Sequence, residues 1–203
     1  MPAILGPYPD VAAVLLAGGS SRRMGADKAL LPIRGQPVLQ HAAAQLRILT
    51  DQVLLSADDR RPYDFLGLPA VPDVFPGCGP MAGLHAAMLR TSRPWLIVLA
   101  CDLPDATAPL LRRLVDAADG FDAVIPAGSD RCLHPVCAVY NRTCLPAIER
   151  LLKSGKHRLL SLLEEPGLRI RILSSAEGGF ADADLVDLDS PIDYSEYLKR
   201  SQT

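Results

Sequence analysis

Residues 11–33 read VAAVLLAGGSSRRMGADKALLPI. Small and branched apolar residues, Val11–Leu16, lead into Ala17-Gly18-Gly19, and Arg22, Arg23, Gly25 and Lys28 follow within ten positions. A short apolar run that ends in glycine reads as a buried strand followed by a tight loop. Glycines placed there let backbone N–H groups approach a ligand where a Cβ would clash. Arg22, Arg23 and Lys28 add fixed positive charge of the kind that holds a polyphosphate. A glycine turn followed by a solvated basic loop is the plainer alternative. Spacing excludes two better-known phosphate loops. Gly25 precedes Ala26-Asp27-Lys28-Ala29, not the Gly-Lys-Ser/Thr of a Walker loop, and Gly18-Gly19-Ser20 does not begin GxGxxG.

Outward from that strand, further apolar runs predict strands at Gln52–Ser56, Ala70–Val71, Trp95–Leu99, Ala123–Ile125, Val136–Tyr140 and Ile170–Leu173. Helical periodicity fills the gaps. In Pro37–Leu49, Val38, Leu39, Ala42, Leu46 and Leu49 share one face, and Pro80–Arg90, Ala108–Ala118 and Thr143–Lys153 follow the same rule. Pro146 falls in the first turn of the last of these, where a missing N–H is tolerated. Strand and helix in alternation, with strands apolar throughout, imply a mostly parallel sheet covered on both faces: an α/β three-layer sandwich. Such sheets bind ligands outside the carboxyl ends of their strands. The 203 residues show no composition shift, repeat or low-complexity tract, so residues 1–203 are expected to form a single domain.

Composition narrows the function. Hydrophobic residues make up 49% and charged residues 22%, an ordinary globular balance. A net charge of −2 lacks the basic footprint that binding of duplex nucleic acid requires, so no nucleic-acid partner is expected. Val11–Ala17 is far shorter than the roughly 20 residues of a membrane-spanning helix. With no membrane segment and no leader-like stretch, the expectation is a cytoplasmic protein. Cys78, Cys101, Cys132, Cys137 and Cys144 are odd in number and lack CxxC spacing. They read as reduced thiols, mostly small core residues, in preference to a zinc set of Cys132, His134 and Cys137.

Asp102 ends the apolar run WLIVLAC, and Pro104 and Pro109 turn the chain beyond it. A carboxylate at a strand's carboxyl end can hold Mg²⁺ against phosphate oxygens; a turn or N-cap aspartate is the alternative. Asp73 likewise follows a short strand and precedes a Pro/Gly-rich loop.

Residues 15–41, LLAGGSSRRMGADKALLPIRGQPVLQH, resemble the signature LAxGxSxRMGxxK of nucleotidyltransferases, which join an NTP to a phosphorylated acceptor and release pyrophosphate. With Ala-Gly-Gly after the strand, the stretch is most similar to the molybdenum cofactor guanylyltransferase family, which transfers GMP from GTP to molybdopterin. Four more segments carry the resemblance along the chain: PDVFPGCGPMAGLHAAM (72–88), VLACDLPDATAPLL (98–111), the His-Pro-containing stretch 131–163, and VDLDSPIDY (186–194). The implied fold is the Rossmann-like nucleotidyltransferase fold. Leu16, Ala17, Gly18 and Gly19 would contact base and ribose, and Arg23 and Lys28 the triphosphate. Ser56 and Asp73 would lie near the nucleotide. Asp102, with Asp189, would bind Mg²⁺; for Asp189 a helix cap ahead of Tyr194–Lys199 is the alternative. Catalysis would come from in-line placement and charge neutralisation by Arg23, Lys28 and Asp102. His134 would position the acceptor. The implied partners are GTP and molybdopterin, with transient contacts to molybdenum-insertion proteins and acceptor molybdoenzymes.

The sequence departs from the guanylyltransferase pattern in places. Ser56 stands where that family often has asparagine, and Asp187 and Asp189 stand where it usually has asparagines. Asp-x-Asp-Ser/Thr-Pro is nearer to cytidylyl and other relatives, so a cytidylyltransferase, or another NTP:phosphate-acceptor nucleotidyltransferase of the same fold, stays open. So does a nucleotide-binding partner subunit without catalysis.

Overall fold

A computed structural model describes residues 8–17, 27–57 and 59–200. The strands are β1 (Val11–Leu16), β2 (Pro32–Ile33), β3 (Gln36–Pro37), β4 (Val53–Ser56), β5 (Ala70–Val71), β6 (Trp95–Ala100), β7 (Ala123–Ala127), β8 (Cys137–Asn141) and β9 (Ile170–Ser174). The helices are α1 (Val38–Leu49), α2 (Pro80–Arg90), α3 (Ala108–Asp116), α4 (Leu145–Lys153), α5 (Ser175–Gly178) and α6 (Pro191–Arg200). Seven strands form one sheet in the order β5-β4-β1-β6-β8-β7-β9. The predicted strands and helices recur with ends shifted by a residue or two, and Thr143–Lys153 begins as a 3₁₀ turn, Arg142–Cys144, before α4.

β1 shows why the quoted stretch governs the architecture. All six of its residues are buried. It pairs in parallel with β4 on one side and β6 on the other, Leu16 lying opposite Ser56 and Ala100. Side chains of a strand alternate between faces, and here each face meets its own helical layer. Ala13 and Leu15 pack with Leu39, Leu46 and Leu49 of α1 and Leu110, Leu111 and Leu114 of α3. Ala12, Val14 and Leu16 pack with Met81, Leu84 and Met88 of α2 and Ile148 and Leu151 of α4. The result is the three-layer sandwich. Among the described residues no helix is long and apolar enough to cross a membrane.

One strand breaks the parallel pattern. β8 runs antiparallel to both neighbours, β6 and β7. The connection from β7 to β8, residues 128–136, is too short for the dozen or so residues of a crossover, so the chain can only double back. β7 and β9 are parallel again.

Asp122, just ahead of β7, ties this half of the sheet together. Its carboxylate accepts from Thr143 Oγ1 (2.7 Å) and from the Arg169 N–H (2.9 Å). The Arg169 N–H first and the Thr143 hydroxyl second hold the Asp122 carboxyl below its usual range. A depressed folded-state value gives stability that is present above the unfolded value, near pH 4, and is lost as the pH falls through the folded one. Asp122→Asn is therefore expected to cost about 1–2 kcal/mol at pH 7. In urea unfolding the gap between parent and variant should narrow progressively as the pH falls below about 4; a gap that does not narrow with falling pH would assign the effect to packing instead.

Residues 185–200 close over the front of the sheet. Ile33, Val38, Leu188 and Tyr197 form a separate small core. The Tyr194 hydroxyl donates to the Pro32 carbonyl (2.7 Å), and Asp105 accepts from Tyr197 (3.2 Å) and pairs with Arg34 (2.8 Å). These contacts pin the C-terminal segment to the loop after β6 and to the β2–β3 hairpin.

Candidate active site

The carboxyl ends of β1, β4, β5 and β6 all lie along one edge of the sheet, as their parallel pairing requires, and sheets of this kind bind ligands at that edge. Leu16 and Ala17 lie there, both buried. The Ala17 N–H donates to the Ser56 carbonyl (2.9 Å) and the Cys101 N–H to the Leu16 carbonyl (3.1 Å). Three of the predicted residues, Gly18, Gly19 and Arg23, together with Arg22 and Gly25, lie outside the described residues.

Lys28 starts a 3₁₀ turn, Lys28–Leu30, whose N-cap is Asp27: the carboxylate accepts from the Ala29 N–H at 3.0 Å. Its ammonium reaches between two carboxylates from distant parts of the chain. Nζ lies 2.7 Å from Asp189 Oδ1 and 3.8 Å from Asp102 Oδ2. Asp102 is held by its own backbone, since its carbonyl accepts from the Leu188 N–H (2.8 Å). That bond brings the Asp187-Leu188-Asp189 segment against the end of β6. Burial raises the Asp102 carboxyl above its usual range; the Lys28 charge opposes the rise, and Asp189 and Asp187 add to it.

The structure decides two readings that the residues alone left open. Asp189 does not cap α6: Ser190 does, with its Oγ accepting from the Asp193 N–H and the Asp193 carboxylate accepting from the Ser190 N–H (2.7 Å). Asp102 is not an N-cap either, because α3 is preceded by Thr107.

Ser56 and Asp73 meet on the β4–β5 side. Ser56 is buried and its hydroxyl points at Asp73 Oδ1 at 3.5 Å. Gly83 of α2 makes room for this. A Cβ there would lie 2.5 Å from Ser56 Oγ and 2.8 Å from Leu16 Cδ2. Gly83→Ala should improve helix propensity by up to about 1 kcal/mol, yet overpacking costs about 1–3 kcal/mol, so a net loss is expected. Thermal unfolding measures it, and adding Ser56→Ala should recover part of the loss. A variant as stable as the parent would show that α2 can shift freely.

His134 lies on the loop between β7 and β8, half-buried, its N–H donating to the Pro126 carbonyl (3.0 Å). Burial lowers its pKa below the usual value, against the opposing charges of Asp187 and Asp130. Cys101, Cys137 and Cys144 are buried free thiols, whereas Cys132 is exposed. Burial of Cys137 and Cys144 pushes each thiol up to about 12, which suits inert core residues.

Sequence reasoning passed over Tyr63. It sits in a 3₁₀ segment, Arg61–Leu66, with no periodic pattern to mark it, and its hydroxyl donates to Asp27 Oδ2 at 2.7 Å. The available signal was the acidic residue directly before Lys28.

What the arrangement can do is hold a multiply charged oxygen-rich ligand. A cation flanked by carboxylates lies beside the carboxyl ends of the parallel strands, and both metal-type and phosphate-type partners suit that chemistry.

Residues 13–169 match the MobA-like NTP transferase domain. A protein of Pelotomaculum thermopropionicum named "Probable molybdenum cofactor guanylyltransferase" is 34% identical over 79% of this chain and 77% of its own length. One of the same name from Carboxydothermus hydrogenoformans is 30% identical over 94% of this chain and 96% of its own. The crystal structure of molybdopterin-guanine dinucleotide biosynthesis protein A from Archaeoglobus fulgidus superposes with a TM-score of 0.79 at 22% identity, covering 94% of this chain and 98% of that one. The chain belongs to the MobA-like NTP transferase family.

Proposed function

We propose that the chain transfers a guanylyl group from GTP to the phosphate of molybdopterin and releases pyrophosphate. The observation that carries this reading is the convergence of Lys28, Asp102 and Asp189 at the carboxyl ends of the central strands. The names of relatives at 30–34% identity supply the substrates. An oxygen of the acceptor phosphate attacks the α-phosphorus of GTP, the bond to the bridging β-phosphate oxygen breaks, and its electron pair leaves with pyrophosphate. The acceptor is already an anion, so no general base is needed. Lys28, with Arg23, neutralises the charge that gathers on the departing pyrophosphate. Leu16 and Ala17 offer backbone groups to base and ribose, with Gly18 and Gly19 following in sequence, and Ser56 and Asp73 flank the nucleotide. His134 orients the acceptor.

The residues present fit a divalent ion. Asp102 and Asp189 are hard oxygen donors already turned toward one positive charge, and burial, with a smaller push from Asp189 and Asp187, resists the ionisation of Asp102, which a nearby cation favours. Asp102 and Asp189 would hold Mg²⁺, and the ion would supply positive charge against the phosphates.

Pyrophosphate release with molybdopterin as acceptor, compared for GTP and CTP in the presence of Mg²⁺, tests the reading. Turnover with GTP is expected. Faster turnover with CTP would favour a cytidylyltransferase, to which Asp187 and Asp189 lean. No pyrophosphate from either nucleotide would leave a binding subunit without catalysis.

A further inference from the structure

We propose that the Tyr63 hydroxyl is a positioning group for the nucleotide: through Asp27 it fixes where Lys28 stands relative to the end of β1. The inference rests on the reading of Lys28 as a triphosphate ligand. Its basis is one phenolic oxygen that touches both flanks of residues 18–26. It donates to Asp27 Oδ2 at 2.7 Å and lies 3.4 Å from the Ala17 carbonyl oxygen. A phenol has one proton, so the short contact is the hydrogen bond and the long one a secondary approach. The other Asp27 oxygen, Oδ1, accepts from the Ala29 N–H (3.0 Å) and so caps the turn that begins at Lys28. Asp27 thus has one oxygen on the brace and one on the backbone around Lys28.

A buried tyrosine needs only some acceptor for its hydroxyl, and a backbone carbonyl would serve. Here the acceptor is a carboxylate one residue from the lysine whose ammonium lies between Asp102 and Asp189. Lysine is a flexible point charge, so the place of its backbone decides where its ammonium can reach. The ring itself is anchored: Tyr63 packs, buried, in the same core as Ala17, Ala29 and Leu66. Burial, and then the Asp27 carboxylate, push the phenol well above its usual range, so the hydroxyl remains a donor at neutral and alkaline pH.

The test is a double-mutant cycle read by the affinity for Mg²⁺·GTP in isothermal calorimetry, with thermal unfolding measured on each protein. Tyr63→Phe keeps the ring and removes only the hydroxyl. It is expected to weaken Mg²⁺·GTP about three- to tenfold, the size of one hydrogen bond's influence. In the Lys28→Ala background the same change should alter affinity by less than about twofold, because nothing is left to position. Its effect on melting temperature should be equal in both backgrounds, which separates positioning from general destabilisation. Asp27→Asn keeps an oxygen for the Ala29 N–H and should bind more tightly than Asp27→Ala. A Tyr63→Phe protein with parental affinity, or losses that multiply with those of Lys28→Ala, overturns the brace alone. Parental affinity in Lys28→Ala overturns the lysine assignment and the brace with it.

Discussion

Lys28→Ala is expected to lower kcat/KM for GMP transfer by about 10²–10³-fold, the usual consequence of removing one preorganised charge from a transition state. Stability should change by no more than about 1 kcal/mol. The asymmetry follows from the surroundings. The partner at 2.7 Å, Asp189, is 59% exposed, and ion pairs of that kind contribute little to folding. The cap made by Asp27 does not involve the lysine side chain, so the 3₁₀ turn survives. The lost charge matters most when phosphate occupies the site. Steady-state pyrophosphate release and thermal unfolding on the same preparation measure both quantities. Transfer near the parental rate would remove Lys28 from the reaction.

The central layer of the fold was legible because its signals are local. Val11–Leu16 is apolar without interruption and ends in glycine, and the structure buries it on both faces. α1 buries Val38, Leu39, Ala42, Leu46 and Leu49, the residues the periodicity selects, together with Ala43. Strand direction was not legible for β8, since an apolar run has no polarity and only the short 128–136 connection fixes it. The β2–β3 hairpin escaped as well. Its two-residue turn, Arg34-Gly35, has φ of 47° and 80°, a type I′ geometry that usually advertises itself as Asn-Gly.

The site divides in the same way. Lys28 follows its strand within a dozen residues, and Asp102 ends one, so each is visible alone. Their meeting with Asp189 is not, because the lysine–aspartate bond spans 161 positions. Nothing local encodes it. It depends on a small apolar cluster of Ile33, Val38, Leu188 and Tyr197, four residues that look unremarkable in sequence and together carry the C-terminal segment to the front of the sheet. Tyr63 illustrates the complementary failure: its ring belongs to the core and only its oxygen reaches Asp27, the neighbour of Lys28.

Asp102→Asn is the more searching substitution, because it changes charge and almost nothing else. Asparagine matches aspartate in shape, so the turn after β6 and the bond from the Leu188 N–H to the residue 102 carbonyl should persist. Folding should not suffer, since burial already penalises the Asp102 charge and Asp189 and Asp187 repel it. The loss should appear in chemistry and in metal use. An amide oxygen lacks the net charge that a hard cation favours, so half-saturation should move to higher Mg²⁺ and turnover should fall by about 10²–10³-fold. Initial rates across a Mg²⁺ series, with parent and variant at saturating GTP, read both effects. A variant with normal maximal rate and shifted Mg²⁺ requirement would make Asp102 a ligand that others can replace. A variant with low rate and unchanged Mg²⁺ dependence would refute the ligand assignment, and would leave Asp102 to act on Lys28, 3.8 Å away, as the carboxylate that aims the ammonium.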